Sequence, residues 1–68
     1  MADRALRKVE VERMTGLDEV TIWRRERSGD FPRRIQLGPR AVGWLESEVQ
    51  AWLAKRAAER DENTEQRR

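Results

Sequence analysis

The sequence contains no cysteine and no histidine. Without cysteine there is no disulfide framework and no thiolate metal site. Without either residue there is no cysteine or histidine nucleophile. The lack of cysteine also fits a reducing compartment. No apolar run approaches the ~20 residues that span a bilayer, and the N-terminus lacks an apolar h-region. The expectation is a cytoplasmic chain with no membrane partner and no cofactor. At 68 residues it holds one domain at most, with a small core and no staple.

Charge is what the chain has in quantity. Charged residues make up 41% of it, yet the net charge is only +2. That balance alone says little about nucleic acid, but its distribution says more. Residues 18–40 carry +2 and residues 41–68 carry −1. Within 21–40, six arginines stand against two acids. The basic character is concentrated in one stretch and the segment after it.

That stretch is Thr15 to Arg27, TGLDEVTIWRRER. Thr15-Gly16-Leu17 supplies a turn. Asp18 is a good N-cap, because its carboxylate accepts from the unpaired N–H groups of the first helical turn. The spacing predicts a helix over about 18–27. Ile22 must face the core, with Glu19, Trp23 and Glu26 on its side. Thr21, Arg24, Arg27 and Ser28 then face outward with Val20, and Arg25 sits at a flank. Before the turn, Val11 and Met14 share a face of a short helix over 8–14. A helix that presents arginines outward after a tight turn is suited to a DNA groove.

Downstream, Ser28-Gly29-Asp30 ends the helix, Phe31 covers its end and Pro32 forces an extended exit. Arg33 to Leu37 alternates, Gly38-Pro39-Arg40 signals a turn, and Ala41 to Trp44 is a second short strand. Together they predict a β-hairpin whose apolar residues, Ile35, Leu37, Val42 and Trp44, rest on the helices. Leu45–Arg60 is the clearest helix, with Val49, Trp52, Leu53 and Arg56 at i, i+3, i+4, i+7. Its N-cap is not evident. Trp44 and Trp52 read as core and Trp23 as a core edge. Met1–Arg7 reads as extended or frayed. The fold expected is mainly α with a small β-hairpin, a winged helix-turn-helix over 1–58, followed by a charged, disordered tail over 59–68.

The chain resembles the AlpA-type regulators of prophages, a branch of the MerR-like winged helix-turn-helix proteins that includes phage excisionases. The residues carrying the resemblance are Thr15-Gly16-Leu17, Thr21-Ile22-Trp23-Arg24, Gly29-x-Phe31-Pro32, Ile35-x-Leu37-Gly38-x-Arg40, Gly43-Trp44 and Ser47-Glu48-Val49-x-x-Trp52-Leu53. The resemblance implies a small DNA-binding protein that regulates transcription or promotes prophage excision alongside an integrase. The chain departs from the family pattern in the reading helix. Asp18, Glu19 and Val20 stand where serines are usual, Arg25 and Glu26 where aliphatic residues are usual, and Trp23 takes a tyrosine-like position.

The residues expected to contact DNA are Thr21, Arg24, Arg25, Arg27, Ser28, Arg34 and Arg40. Arg24 is the first choice for a base edge, since arginine donates two bonds to guanine O6 and N7. Thr21 suits a thymine methyl or a phosphate. Arg25 and Arg27 suit phosphates. Arg40, at the wing turn, suits the minor groove or flanking backbone. Arg7 and Lys8 could clamp the backbone ahead of the first helix. The expected partners are double-stranded DNA, further copies of the chain on adjacent sites, and a phage integrase. The competing reading is a small protein-interaction adaptor that touches an integrase or polymerase through its last helix. No nucleophile–base pair, metal cluster or phosphate loop points to an enzyme.

Overall fold

The computed structural model describes residues 3–66, with side chains described through residue 60. The elements in chain order are β1 (Ala5–Leu6), α1 (Lys8–Thr15), α2 (Glu19–Ser28), β2 (Ile35–Gly38), β3 (Ala41–Leu45) and α3 (Glu46–Gln66). The mainly helical architecture, with a turn between α1 and α2 and a hairpin after them, is compatible with a winged helix-turn-helix. The expected boundary at residue 58 falls within α3, and the last two residues of the expected tail lie outside the described residues.

The ends of α1 and α2 have local causes. The Arg7 N–H donates to Glu10 Oε1 at 3.0 Å, closing the start of α1. Gly16 ends α1 at φ 74°, a left-handed conformation that costs glycine no Cβ clash. The Thr21 N–H donates to Asp18 Oδ1 at 2.8 Å, so Asp18 caps α2 as expected. Gly29 ends α2 at φ 84°.

Of Met1–Arg7, expected to be extended or frayed, Ala5–Leu6 form the extended strand β1, and Met1 and Ala2 lie outside the described residues. β1 pairs antiparallel with β3, giving a three-stranded sheet in the order β1-β3-β2. Leu6 is wholly buried. This segment also supplies the missing cap of α3. The Ser47 amide and hydroxyl donate to Asp3 Oδ1 and Oδ2 at 3.1 and 2.5 Å. The Glu46 amide donates to the Arg4 carbonyl at 2.7 Å.

The core is Leu6, Val11, Ile22, Phe31, Trp44 and Val49, with Met14, Leu17, Trp52 and Leu53 packed against it. Two expectations fail here. Ile35 and Leu37 do not rest on the helices; they are 37% and 43% exposed. Register explains why. Ile35 pairs with Gly43 and Gln36 with Val42. Residues directly opposite share a sheet face, so Ile35 stands on the face opposite Val42 and Trp44. Trp23 is not a core edge either, at 48% exposed. Ile22 is the buried residue of α2. Beside it, Trp44 fills the core and Glu26 is bonded to Trp44, so the indole of Trp23 stays outside.

Candidate nucleic-acid interface

The outward side of α2 follows from the burial of Ile22. Val20, Trp23, Arg24, Arg27 and Ser28 are exposed, while Thr21, Arg25 and Glu26 are half-buried. Thr21 is engaged at the helix start. Hydrogen bonds from its hydroxyl and amide are the largest causes that hold the Asp18 carboxyl below its ordinary range, with the nearby Arg24 charge adding to them.

Two of the three half-buried members of α2, Glu26 and Arg25, fix the frame around the exposed face. Glu26 Oε1 lies 2.8 Å from Arg34 Nη2. Glu26 also accepts from the Arg34 backbone N–H at 3.1 Å and from Trp44 Nε1 at 2.8 Å. The Arg34 guanidinium stands 5.1 Å from the Trp44 ring centroid. Glu26 therefore ties α2 to the strand entering the wing and to the core indole. An ion pair with arginine is what makes a carboxylate tolerable on this side of the helix.

Arg25, expected at a flank, turns toward the end of its own helix. Its Nη1 lies 2.5 Å from Asp30 Oδ2, and its guanidinium is 6.0 Å from the Trp52 ring centroid. Trp52 Nε1 in turn donates to the Asp30 carbonyl at 2.6 Å, and its ring meets Phe31 edge-on at 4.9 Å. This cluster anchors the loop after α2 to α3. Arg25 and Arg34 thus carry positive charge at the site, but both guanidinium groups already hold carboxylates.

Arg24, Arg27, Arg33 and Arg40 are exposed and, among the described residues, form no salt bridge. Arg27 stacks on Trp23, its guanidinium carbon 4.7 Å from the ring centroid. Arg40 occupies the two-residue turn between Gly38 and Ala41, which pair across the hairpin. Arg34 lines three adjoining concavities: one with Arg40, Arg7 and Lys8, one with Val20 and Trp23, and one with Arg27 and Arg33. Thr21, Arg24 and Ser28 line another, with Arg25 and Asp30. The structure therefore brings the wing turn and the outer face of α2 onto one basic surface. Lys8 is paired with Glu19 at 3.1 Å, which ties the start of α1 to the start of α2.

Sequence reasoning did not select Val20, Trp23 or Arg33 for this surface. Val20 was legible as an outward position on the helical wheel. Trp23 was not, because tryptophan at 100° from a buried isoleucine reads as core. Among the described residues, no cluster of three or more His, Cys, Asp or Glu is placed to hold a metal ion, and no helix is long and apolar enough to cross a membrane.

Two relatives share most of this sequence. One is an uncharacterized protein, ORF88, of Enterobacteria phage P4, 47% identical over 58 residues, which are 85% of this chain and 66% of the phage protein. The chain thus spans just under two thirds of that relative's length. The other is the DNA-binding transcriptional activator AlpA of Escherichia coli (strain K12), 38% identical over 61 residues, covering 81% of this chain and 87% of the activator. The family model described as prophage CP4-57 regulatory protein (AlpA) matches residues 4–57, well over half of the sequence and every element from β1 into α3, so the chain belongs to the AlpA family of prophage regulatory proteins.

Proposed function

We propose that the chain is a sequence-specific double-stranded DNA-binding protein that acts on phage or prophage DNA, as a transcription regulator or as an excisionase-type directionality factor. One observation carries this reading. The capped helix α2 presents Arg24, Arg27 and Ser28 outward directly after a tight turn, beside a wing whose turn holds Arg40. The α2 face enters the major groove, where Arg24 reads a base edge, and Thr21, Ser28 and Arg27 meet the adjoining backbone. Arg40 touches flanking backbone or minor groove. Arg25 and Arg34, held by Asp30 and Glu26, contribute field and rigidity more than direct contact. The similarity to a protein named as a DNA-binding transcriptional activator supports the same reading.

A single module of this size buries roughly 600–1,000 Å² of its own surface on DNA. Tight binding therefore calls for further copies on adjacent sites, and an excision role calls for a phage integrase as partner. Selection of bound duplexes from a random pool tests the proposal. Enrichment of a defined motif is expected. A pool that stays random after repeated rounds would contradict it.

A further inference from the structure

The outer face of α2 carries a largely exposed apolar pair, partly covered only where Arg27 lies over the Trp23 ring. Val20 is 59% exposed and Trp23 is 48% exposed. With Arg24 and Arg27 they occupy i, i+3, i+4 and i+7, a single stripe along the helix. They line a concavity of about 370 Å³ together with Glu19 and Arg34. In a chain with so small a core, a valine and a tryptophan left in water on one stripe point to an absent partner.

The surroundings of the pair say what that partner is. Arg24 and Arg27 belong to the same stripe, Arg33 and Arg34 border it on the wing side, and Arg27 lies over the Trp23 ring at 4.7 Å. An apolar strip rimmed by four arginines is complementary to an apolar group set in a polyanion. The major groove of a duplex offers one such group at its base edges, the C5 methyl of thymine. Val20 sits in the first turn of α2, the part of a reading helix that reaches deepest. One helical turn on, about 4.5 Å along the axis, Trp23 lies within one to two base-pair steps of it.

We propose that Val20 and Trp23 are specificity-determining residues that read thymine methyl groups, so that the chain prefers sites with at least one thymine at fixed distance from the base read by Arg24. This rests on the DNA-binding reading above and deepens it. Hydrogen bonds from arginine and apolar contact with methyls then divide the work of recognition: Arg24 selects guanine, and the Val20–Trp23 strip selects thymine.

Deoxyuridine in place of thymidine removes the methyl and leaves the pairing edges unchanged. The test starts from the duplex enriched in the selection and replaces its thymidines one at a time, with affinity measured for the wild-type chain, Val20→Ala and Trp23→Ala. Both substitutions are at exposed positions, and an unchanged melting temperature verifies the fold. The expected result is one or two positions where deoxyuridine weakens wild-type binding about fourfold, the value of burying one methyl-sized apolar group. At one of those positions the same change has no effect on Val20→Ala or on Trp23→Ala. If every deoxyuridine duplex binds as well as the parent while the parent binds tightly, methyl reading is overturned and DNA binding stands. If a sensitive position stays equally sensitive in both variants, another residue reads the methyl and the proposal is overturned. If no duplex is enriched at all, the DNA-binding reading fails first and the proposal with it.

Discussion

The indole N–H of Trp44 donates to the carboxylate of Glu26 at 2.8 Å, across eighteen residues of sequence. Trp44 is 1% exposed, so its N–H has no access to water and needs an internal acceptor. The same carboxylate holds Arg34, and its side chain is only 10% exposed. Removing it leaves both donors unpaired. Glu26→Ala is expected to cost about 2–3 kcal/mol, the range for bonds to a charged group. In a domain of this size each kcal/mol lowers the melting point by about 4–8 °C. Thermal and urea denaturation check this, and a loss below about 0.5 kcal/mol would show that the triad does not hold the frame.

Gly43 is where β1, β2 and β3 come closest. A Cβ there would lie 2.7 Å from Leu6 O and 2.7 Å from Leu37 Cδ1. The leucine tip can move, but the backbone oxygen of β1 cannot without breaking its pairing. Gly43→Ala is expected to destabilise by about 1–3 kcal/mol. Gly38→Ala is the control, because a Cβ there meets only Ala41 Cβ at 3.9 Å. It should change stability by less than about 0.5 kcal/mol. Equal effects of the two substitutions would contradict the close approach.

Two carboxylates set an acid limb. Asp3 is held below its ordinary value of 3.8 by hydrogen bonds from the Ser47 hydroxyl and amide. Asp18 is held below it by those from Thr21. A group whose pKa falls on folding adds stability that is complete above the unfolded value. That stability is lost as pH drops through the folded value. Stability should therefore be flat above about pH 5 and decline below about pH 4 as the caps of α2 and α3 are protonated. Asp3→Asn and Asp18→Asn keep an acceptor that does not titrate in this range. Denaturation series from pH 6 to pH 3, with the flanks taken at roughly one unit around the transition, should show a shallower decline in the double variant.

Arg24 and Arg25 are adjacent but should behave differently. Arg24→Ala is expected to leave the melting temperature unchanged and to cost about 1–3 kcal/mol of binding at one base position. Arg25→Ala removes the Asp30 pair and the guanidinium over the Trp52 ring, but it also removes an Nε that is buried without a hydrogen-bond partner. The two effects oppose one another, and a partly exposed ion pair is worth little. A loss of about 1 kcal/mol or less in stability is expected, with sequence preference retained. Binding and melting data on both variants decide the matter, and an exchange of the two phenotypes would overturn the placement of α2.

Several features were readable from residues alone because their causes are local. Asp18 as an N-cap after the Thr15-Gly16-Leu17 turn marked the start of α2, and Gly16 and Gly29 marked the ends of α1 and α2. The Gly38-Pro39-Arg40 turn gave the hairpin. The features that were not readable depend on partners far along the chain. β1 is two residues long and has no alternation to detect. Asp3, just ahead of it, bonds to Ser47 at the start of a helix 44 residues later. The apolar alternation of Ile35 and Leu37 placed them correctly on one face, but register decides which face, and register is set by pairing with Gly43. Glu26 read as costly on the core side of the wheel unless it reached solvent or paired with an arginine. It pairs with Arg34, but which arginine, and the bond from Trp44, were not readable because neither residue is a helical neighbour. The same gap hid Trp23, whose exposure follows from Trp44 filling the core beside Ile22.

The central claim is that the outer face of α2 and the wing turn together engage duplex DNA. The most direct measurement is affinity for the selected duplex across a salt series. Contacts from Arg27, Arg40 and their neighbours to three or more phosphates predict log K falling linearly with log salt at a slope of about −3 or steeper. That is roughly a sixtyfold loss between about 50 and 200 mM. Arg40→Ala should make the slope shallower by about one. Weak binding that changes less than about fourfold over the same range, in wild type and Arg40→Ala alike, would contradict the account.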